Sequence, residues 1–279
     1  MKELSGLILT GERAAYASKD TKFINCTFDD GESPLKESRN IIIDNCSFKW
    51  KYPLWYCVSV EVYNSTWYEM GRSGIWYTKN ISIYNSLINS PKQFRYSSDI
   101  KLIDCKLPLA DETMWKCDNI ELRNVYIKGD YFGMNCRNII LDNVTIDGNY
   151  CFDGGCNIKA KNCVFNSKDS FWNCDNVVIE NSKIVGEYAC WNTKNITFIN
   201  CEIDSTQGFC YMDNIKLIGC KLYNTNLSFE LCSNIDAEVL TTIESIKNPI
   251  NGIIRCKGYN ELILDSNIIN PKNTIIEVN

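Results

Sequence analysis

The sequence predicts an all-β chain, wound as a single-domain right-handed parallel β-helix of about 11 coils. Three observations predict it. An asparagine column recurs along the chain, apolar residues alternate around it, and the rest of each repeat is too short and too aromatic for a helix. The column runs Asn25, Asn45, Asn64, Asn85, Asp104, Asn124, Asn143, Asn162, Asn181, Asn200 and Gly219, with steps of 19, 20 or 21 residues. A fixed period of this length marks a stacked-repeat architecture.

Within each repeat, apolar residues stand four and two positions before the column, and one and three positions after it. Ile41, Ile43 and Phe48 represent three of these positions around Asn45; Ile196, Phe198 and Ile203 do so around Asn200. Period-two alternation with β-branched enrichment reads as strand. The asparagine interrupts the strand where the chain turns, and its amide is placed to bond its equivalent one coil away. Leucine-rich repeats share an Asn/Cys ladder but need a helical convex side. Here that half-coil reads LWYC, IWYT, MWKC or FWNC, which is strand-like.

The cysteines beside the ladder (Cys26, Cys46, Cys105, Cys163, Cys201, Cys220) alternate with Ser65, Ser86, Val125, Val144 and Ser182. A position that accepts Cys, Ser or Val is a small inward-facing site and not a metal site. Parallel, in-register side-chain vectors also disfavour disulfides between neighbouring coils. The Asn-x-Ser/Thr patterns at Asn25, Asn45, Asn64 and Asn143 coincide with the ladder and are by-products of the repeat. The recurring Asp118-Asn119, Asp175-Asn176 and Asp213-Asn214 pairs mark a second turn.

Residues 1–20 read as an N-terminal cap, 21–235 as the coils, and 236–279 as a C-terminal β cap whose NGIIR and NELILDSNIIN segments remain strand-like. A solenoid grows by adding coils, so 279 residues fit one domain. The first 20 residues lack a signal-peptide pattern, and no stretch approaches a membrane span. Sixteen cysteines then predict a reducing cytoplasm, with the thiols packed as small hydrophobes. A net charge of −5 without a basic stripe disfavours nucleic acid.

The strings GERAAYASKD, FDDGESPLKESRN, FKWKYPLWYC, GIWYTKNI, GDYFGMN, SKDSFWNCDN, GEYACWN and SIKNPINGII resemble a bacterial family of right-handed β-helix proteins, the domain of unknown function 3737 family. The resemblance covers nearly the whole chain. It implies a pectin-lyase-like β-helix and carries over no activity and no site residue.

Function therefore rests on the residues themselves. Nine positions before the ladder runs a column of Trp55, Trp76, Arg95, Trp115, Met134, Asp153, Trp172, Trp191 and Cys210. Strand alternation points it outward, because the preceding residues are mostly apolar. The following residues, among them Tyr56, Tyr77, Tyr96 and Lys116, would then turn inward, which Lys116 resists, so a bend is expected here. An outward strip of rings suits binding of a carbohydrate or polyol-like ligand, with ring faces on sugar faces. Trp55, Trp76, Trp115, Trp172, Trp191, Tyr131 and Tyr150 are the candidate ligand-binding residues. The alternative is a non-catalytic scaffold whose strip is covered by a homodimer or a protein partner, so the chain is expected as a monomer or a homodimer.

The strip dips at Met134 and Asp153, where Gly133, Gly154 and Gly155 remove side chains. Asp111, Glu112, Asp130, Asp153 and Asp169 gather near the dip, with Arg95 and Lys116. The chain has no histidine, which removes imidazole general bases and imidazole metal sites. Carboxylate chemistry remains. Asp130 and Asp153 are the leading pair for glycoside hydrolysis, with Asp111 or Glu112 next. Arg95 or Lys116 would serve as the base of a lyase, or bind a uronate or phosphate group. No metal or cofactor is expected.

Overall fold

The computed structural model describes residues 1–279. The chain divides into two compact units, Met1–Ile140 and Leu141–Asn279. Both are built from stacked coils of a parallel β-helix, about 15 turns in all.

In the first unit the strands Lys2–Ser5, Lys19–Ile24, Arg39–Asp44, Val58–Tyr63, Lys79–Tyr84, Ser98–Ile103 and Asp118–Lys128 pair in parallel, each with the next. The register keeps one inward residue type in line: Leu4, Phe23, Ile43, Val62, Ile83, Leu102 and Leu122. From Phe23 onward these side chains are fully buried. Short second strands, such as Thr27–Phe28, Ser47–Phe48 and Thr66–Trp67, stack beside them. They carry a column of rings through the core, with Phe28 on Phe48 at 4.9 Å and Phe48 on Trp67 at 4.6 Å.

The second unit repeats the scheme with Cys156–Lys161, Asp175–Glu180, Lys194–Ile199, Asp213–Tyr223, Ser233–Val239, Gly252–Cys256 and Thr274–Val278. Its core rings include Phe152, Phe165, Phe171, Phe198, Phe209 and Phe229, all without solvent exposure. The strand Arg137–Asp147 contributes Arg137–Ile140 to the first unit and the rest to the second.

The turn count exceeds the 11 read from the asparagine column. Lys2–Ser5 forms a rung of the same sheet, and Ser233–Val239, Gly252–Cys256 and Thr274–Val278 form three more. Their sequences hide this. Gly6 takes the left-handed corner (φ +67°) that Asn25 takes one coil later, and a glycine carries no amide for the ladder. At the other end Ala237, Ile254 and Ile276 align in the sheet, although the steps between them are 17 and 22 residues. Loop length changed there while the inward column did not.

The ladder asparagines adopt left-handed backbone, with φ of 51° at Asn25, 50° at Asn45 and 51° at Asn64. Asparagine tolerates this conformation better than other side chains with a Cβ. Its amide then bonds along the stack: Asn45 Nδ2 donates to Asn25 Oδ1 at 2.7 Å, and Asn85 to Asn64 at 2.8 Å. The Asp-Asn turns form a second such ladder. Asn119 donates to Asp99 at 2.9 Å, Asn195 to Asp175 and Asn214 to Asn195 both at 2.8 Å. Asn119, Asn195 and Asn214 are left-handed as well.

All sixteen cysteines are free thiols, and all but Cys156 are buried. Their interchange with Ser and Thr has a hydrogen-bonding reason. At the corner after the tryptophan column, Cys57 Sγ donates to the Leu35 carbonyl at 3.1 Å, Ser97 Oγ to Ile75 at 3.1 Å and Cys117 Sγ to Phe94 at 3.0 Å. The equivalent side chain of the following coil accepts in turn: the Cys57 N–H donates to Thr78 Oγ1, the Thr78 N–H to Ser97 Oγ and the Cys117 N–H to Cys136 Sγ. A small donor–acceptor satisfies buried backbone groups that the corner takes out of the sheet. Burial pushes the Cys57 thiol up to about 12 and the Cys105 thiol up to about 11. These thiols stay protonated at neutral pH and are not nucleophiles.

Candidate functional site

The predicted bend lies directly after the tryptophan column. Tyr56, Tyr77, Tyr96 and Lys116 have φ between 51° and 58°. A left-handed residue breaks strand alternation, so two consecutive side chains both leave the core. The inner one is half-buried (Trp55, Trp76, Arg95, Trp115) and the outer one exposed (Tyr56, Tyr77, Tyr96, Lys116).

The inner column stacks on itself. Trp55 and Trp76 lie 5.2 Å apart and 9° from parallel. Arg95 continues the stack, its guanidinium 5.1 Å from the Trp76 ring and 4.3 Å from Trp115. Parallel bridges join Trp76 to Arg95 and Arg95 to Trp115. A planar cation substitutes for an indole here because it offers two faces to neighbouring rings. Each indole N–H is used by the next coil: Trp55 donates to the Ser73 carbonyl at 2.6 Å, Trp76 to Lys92 at 2.8 Å and Trp115 to Tyr131 at 2.7 Å.

The outer column stacks in the same way. Tyr56 and Tyr77 are 4.8 Å apart and 7° from parallel; Tyr77 and Tyr96 are 5.3 Å apart and 4° from parallel. Cations cover both ends of the row, with Lys36 Nζ 5.6 Å from the Tyr56 ring and Lys116 Nζ 5.6 Å from Tyr96. Beside the row lies an open cleft of about 740 Å³ lined by Lys36, Glu37, Arg39, Tyr56, Val58, Tyr77 and Lys79.

In the second unit Trp172 and Trp191 stack at 5.7 Å and 9°, and donate to the Tyr188 and Gln207 carbonyls. Asparagines replace the outer tyrosines: Asn192 donates to Asn173 at 2.8 Å, and Asn173 to Asp153 Oδ1 at 2.8 Å. Tyr150 meets Trp172 edge-on at 6.5 Å.

This geometry corrects the expected use of the tryptophans. The faces of Trp76 and Arg95 are covered by their neighbours, and in each Trp pair the facing sides cover one another. The strip presents ring edges and phenol groups instead of broad flat platforms.

A family model described as "Protein of unknown function (DUF3737)" matches residues 2–277. The chain belongs to that family. No curated protein matches the sequence. Among solved structures, the mannuronan C-5 epimerase A-module from Azotobacter vinelandii is similar to the DUF3737 chain at 8% identity, covering 99% of this chain and 87% of its own, with a TM-score of 0.37. The surface adhesin PfbA of Streptococcus pneumoniae is similar at 10% identity over 95% and 81%, with a TM-score of 0.43. QnrB1, a plasmid-mediated fluoroquinolone resistance protein, is similar at 15% identity over 80% and 94%, with a TM-score of 0.29. No helix of the DUF3737 chain is long and apolar enough to cross a membrane.

Most of the carboxylates expected to do chemistry are engaged by their coils. Glu112 accepts from Arg95 at 2.8 Å and pairs with Lys92 at 3.3 Å. Partial burial raises its carboxyl, but hydrogen bonds and charges from Arg95 and Lys92 together hold it below its ordinary value. Asp111 Oδ1 accepts the Asp130 backbone N–H at 2.9 Å, and Asp153 caps the Asn173 ladder. Asp130 lies in the first unit and Asp153 in the second. Asp169 differs. It is 2% exposed, its Oδ1 has no partner, and burial raises its carboxyl against the lowering effects of Lys168 and of a hydrogen bond from Tyr150. Arg95, expected as a base or an anion ligand, is held within the stack with a side-chain exposure of 16%. Lys116 remains exposed above Tyr96.

The Glu112 geometry makes a pH prediction. A carboxyl lowered by folding contributes stability that is present above its unfolded value, about 4.3, and lost as pH falls through the lower folded value. The stability difference between the native chain and Glu112→Gln, from urea unfolding, is expected to be largest at neutral pH and to vanish on acidification. A difference that grew on acidification would show that Arg95 and Lys92 do not hold the charge.

The sequence reading named Tyr56 and Tyr77 only as followers of the tryptophans, and it missed Lys36, Arg39 and Lys79. Lys36 stands at the column position of its own coil, nine residues before Asn45, and Arg39 and Lys79 stand three residues after that position, a pattern confined to a few coils.

Proposed function

We propose that the first unit binds a saccharide or polyol-like chain along the row Tyr56–Tyr77–Tyr96, as a binding surface and not as a hydrolytic centre. One observation carries this reading: three exposed phenol rings are stacked one coil apart, and two of them, Tyr56 and Tyr77, line an open cleft. A coil step of about 4.8 Å repeats a hydroxyl donor and acceptor along the axis. A chain rich in evenly spaced oxygens complements that row better than a single apolar ring does. Tyrosines held in a stack have lost little further freedom on binding, which lowers the entropic cost. Cleavage has less support, because Glu112 is paired with two cations and Asp111 and Asp153 accept hydrogen bonds from the next coil. The scaffold alternative draws less from the strip, since stacked rings already cover their own apolar faces.

The test is calorimetric titration with neutral and acidic oligosaccharides, with Tyr56→Ala/Tyr77→Ala/Tyr96→Ala as the control. Binding that falls about tenfold or more in the triple variant, each stacked or hydrogen-bonded ring contributing about 0.5–1.5 kcal/mol, supports the reading. No binding by any saccharide, together with a concentration-dependent mass, would replace it with the homodimer.

A further inference from the structure

We infer that the cleft beside Tyr56 and Tyr77 selects an acidic saccharide, with Arg39 and Lys79 receiving its anionic groups; this rests on the ridge reading above. The register aligns Lys19 with Arg39, Arg39 with Val58, Val58 with Lys79, and Lys79 with Ser98. Three of these five successive positions are cations, and Val58 separates two of them. Arg39 and Lys79 thus stand two rungs apart, about 10 Å by strand spacing, over an apolar floor.

Ion pairing distinguishes these cations from the rest of the lining. Lys36 is held by Glu37 at 3.9 Å and lies over Tyr56. Glu37, the one carboxylate in the cleft, is also tied to the Tyr16 hydroxyl at 2.6 Å. Neither Arg39 nor Lys79 makes an ion pair. Arg39 and Lys79 are thus two exposed, unneutralised cations lining one open cleft in a chain of net charge −5.

The ring stack adds to the preference. Aromatic rings carry negative faces and positive edges. Here the inward faces are closed by neighbouring rings and the end faces by Lys36 and Lys116, so the cleft meets mainly edges and hydroxyls. Edges, phenol donors, Arg39 and Lys79 all favour an electron-rich partner. Charge-assisted hydrogen bonds from these two residues are about twice as strong as neutral ones. A neutral chain would use the phenols alone.

The experiment compares an oligomer of uronic acid residues, its carboxyl-reduced neutral counterpart and inorganic tripolyphosphate, on the native chain, on Arg39→Gln/Lys79→Gln and on the triple tyrosine variant. Both cation sites are exposed in the cleft, so the glutamine variant is expected to fold with native thermal stability. The expected result is uronate binding about tenfold tighter than the neutral oligomer, weakening as salt rises through the Debye regime. In the glutamine variant the two oligomers should bind alike.

Equal binding of both oligomers to the native chain would overturn the acidic preference and leave the ridge reading standing. Binding of neither would overturn both. Tripolyphosphate that competes fully and is indifferent to the tyrosine substitutions would also overturn the inference, by making the cations a phosphate site without a saccharide.

Discussion

Trp67→Ala is expected to lower unfolding stability by about 3–5 kcal/mol, the range for removing a large buried ring. Trp67 has no solvent exposure and closes the stack Phe28–Phe48–Trp67. It lies in Thr66–Trp67, between the strands Ser47–Phe48 and Leu87–Ile88, so the surrounding backbone is fixed on both sides and cannot collapse into the space. The indole has a second property: its Nε1 is buried without a hydrogen-bond partner. A buried orphan donor costs about 1–3 kcal/mol. Trp67→Phe removes that cost and continues the ring type already present at Phe28 and Phe48, while losing part of the indole's volume. The two effects oppose, and the net change is expected within about 1.5 kcal/mol of the native chain. Guanidinium unfolding of both variants decides the matter. If phenylalanine costs as much as alanine, the ring stack is not what holds this coil.

The second large effect is expected at Gly186. This glycine lies in Lys183–Glu187, with φ of 154°, and a Cβ there would stand 2.2 Å from the Ser167 carbonyl oxygen and 2.6 Å from its carbon. The obstacle is backbone of the neighbouring coil, which cannot rotate away as a side chain does. Gly186→Ala is therefore expected to cost roughly 3–5 kcal/mol, combining overpacking with a strained backbone. Gly11→Ala is the control, since its φ is also positive (+87°) but nothing lies within 4 Å of the added carbon. That substitution is expected to cost about 1 kcal/mol. Equal costs at the two positions would show that coil spacing at Ser167 relaxes freely. Hydrogen exchange would locate the Gly186→Ala effect, which should be greatest in Lys183–Glu187 and its partner strand Glu202–Thr206.

The solenoid was legible because its determinants are local and repeated. Phe23, Ile43, Val62 and Ile83 recur at the coil period, and each meets the same surroundings one rung away. The ladder asparagines were legible for the same reason: one side chain both accepts the left-handed corner and bonds its own copy. The terminal turns were not. Gly6 performs the corner without an amide, and the rungs at Ala237, Ile254 and Ile276 keep the inward residue while the loops between them change length. The second asparagine ladder shows in the sequence only as a turn, since a sequence shows where Asn119 or Asn195 recurs but not that its amide reaches the preceding coil.

For the candidate site the division falls differently. The amino-acid sequence by itself determined that tryptophans and tyrosines form a longitudinal strip, that the chain has no imidazole, and that the cysteines are small core residues. Tertiary structure alone decided what the strip presents. The left-handed backbone at Tyr56, Tyr77 and Tyr96 sends two neighbouring side chains out of the core together, and the coil spacing stacks each ring on the next. Faces that the composition offers to a ligand are thereby spent on one another, leaving edges, hydroxyls and two unpaired cations. Arg39 and Lys79 are forty residues apart in sequence, and only the stacking of coils places them in one cleft.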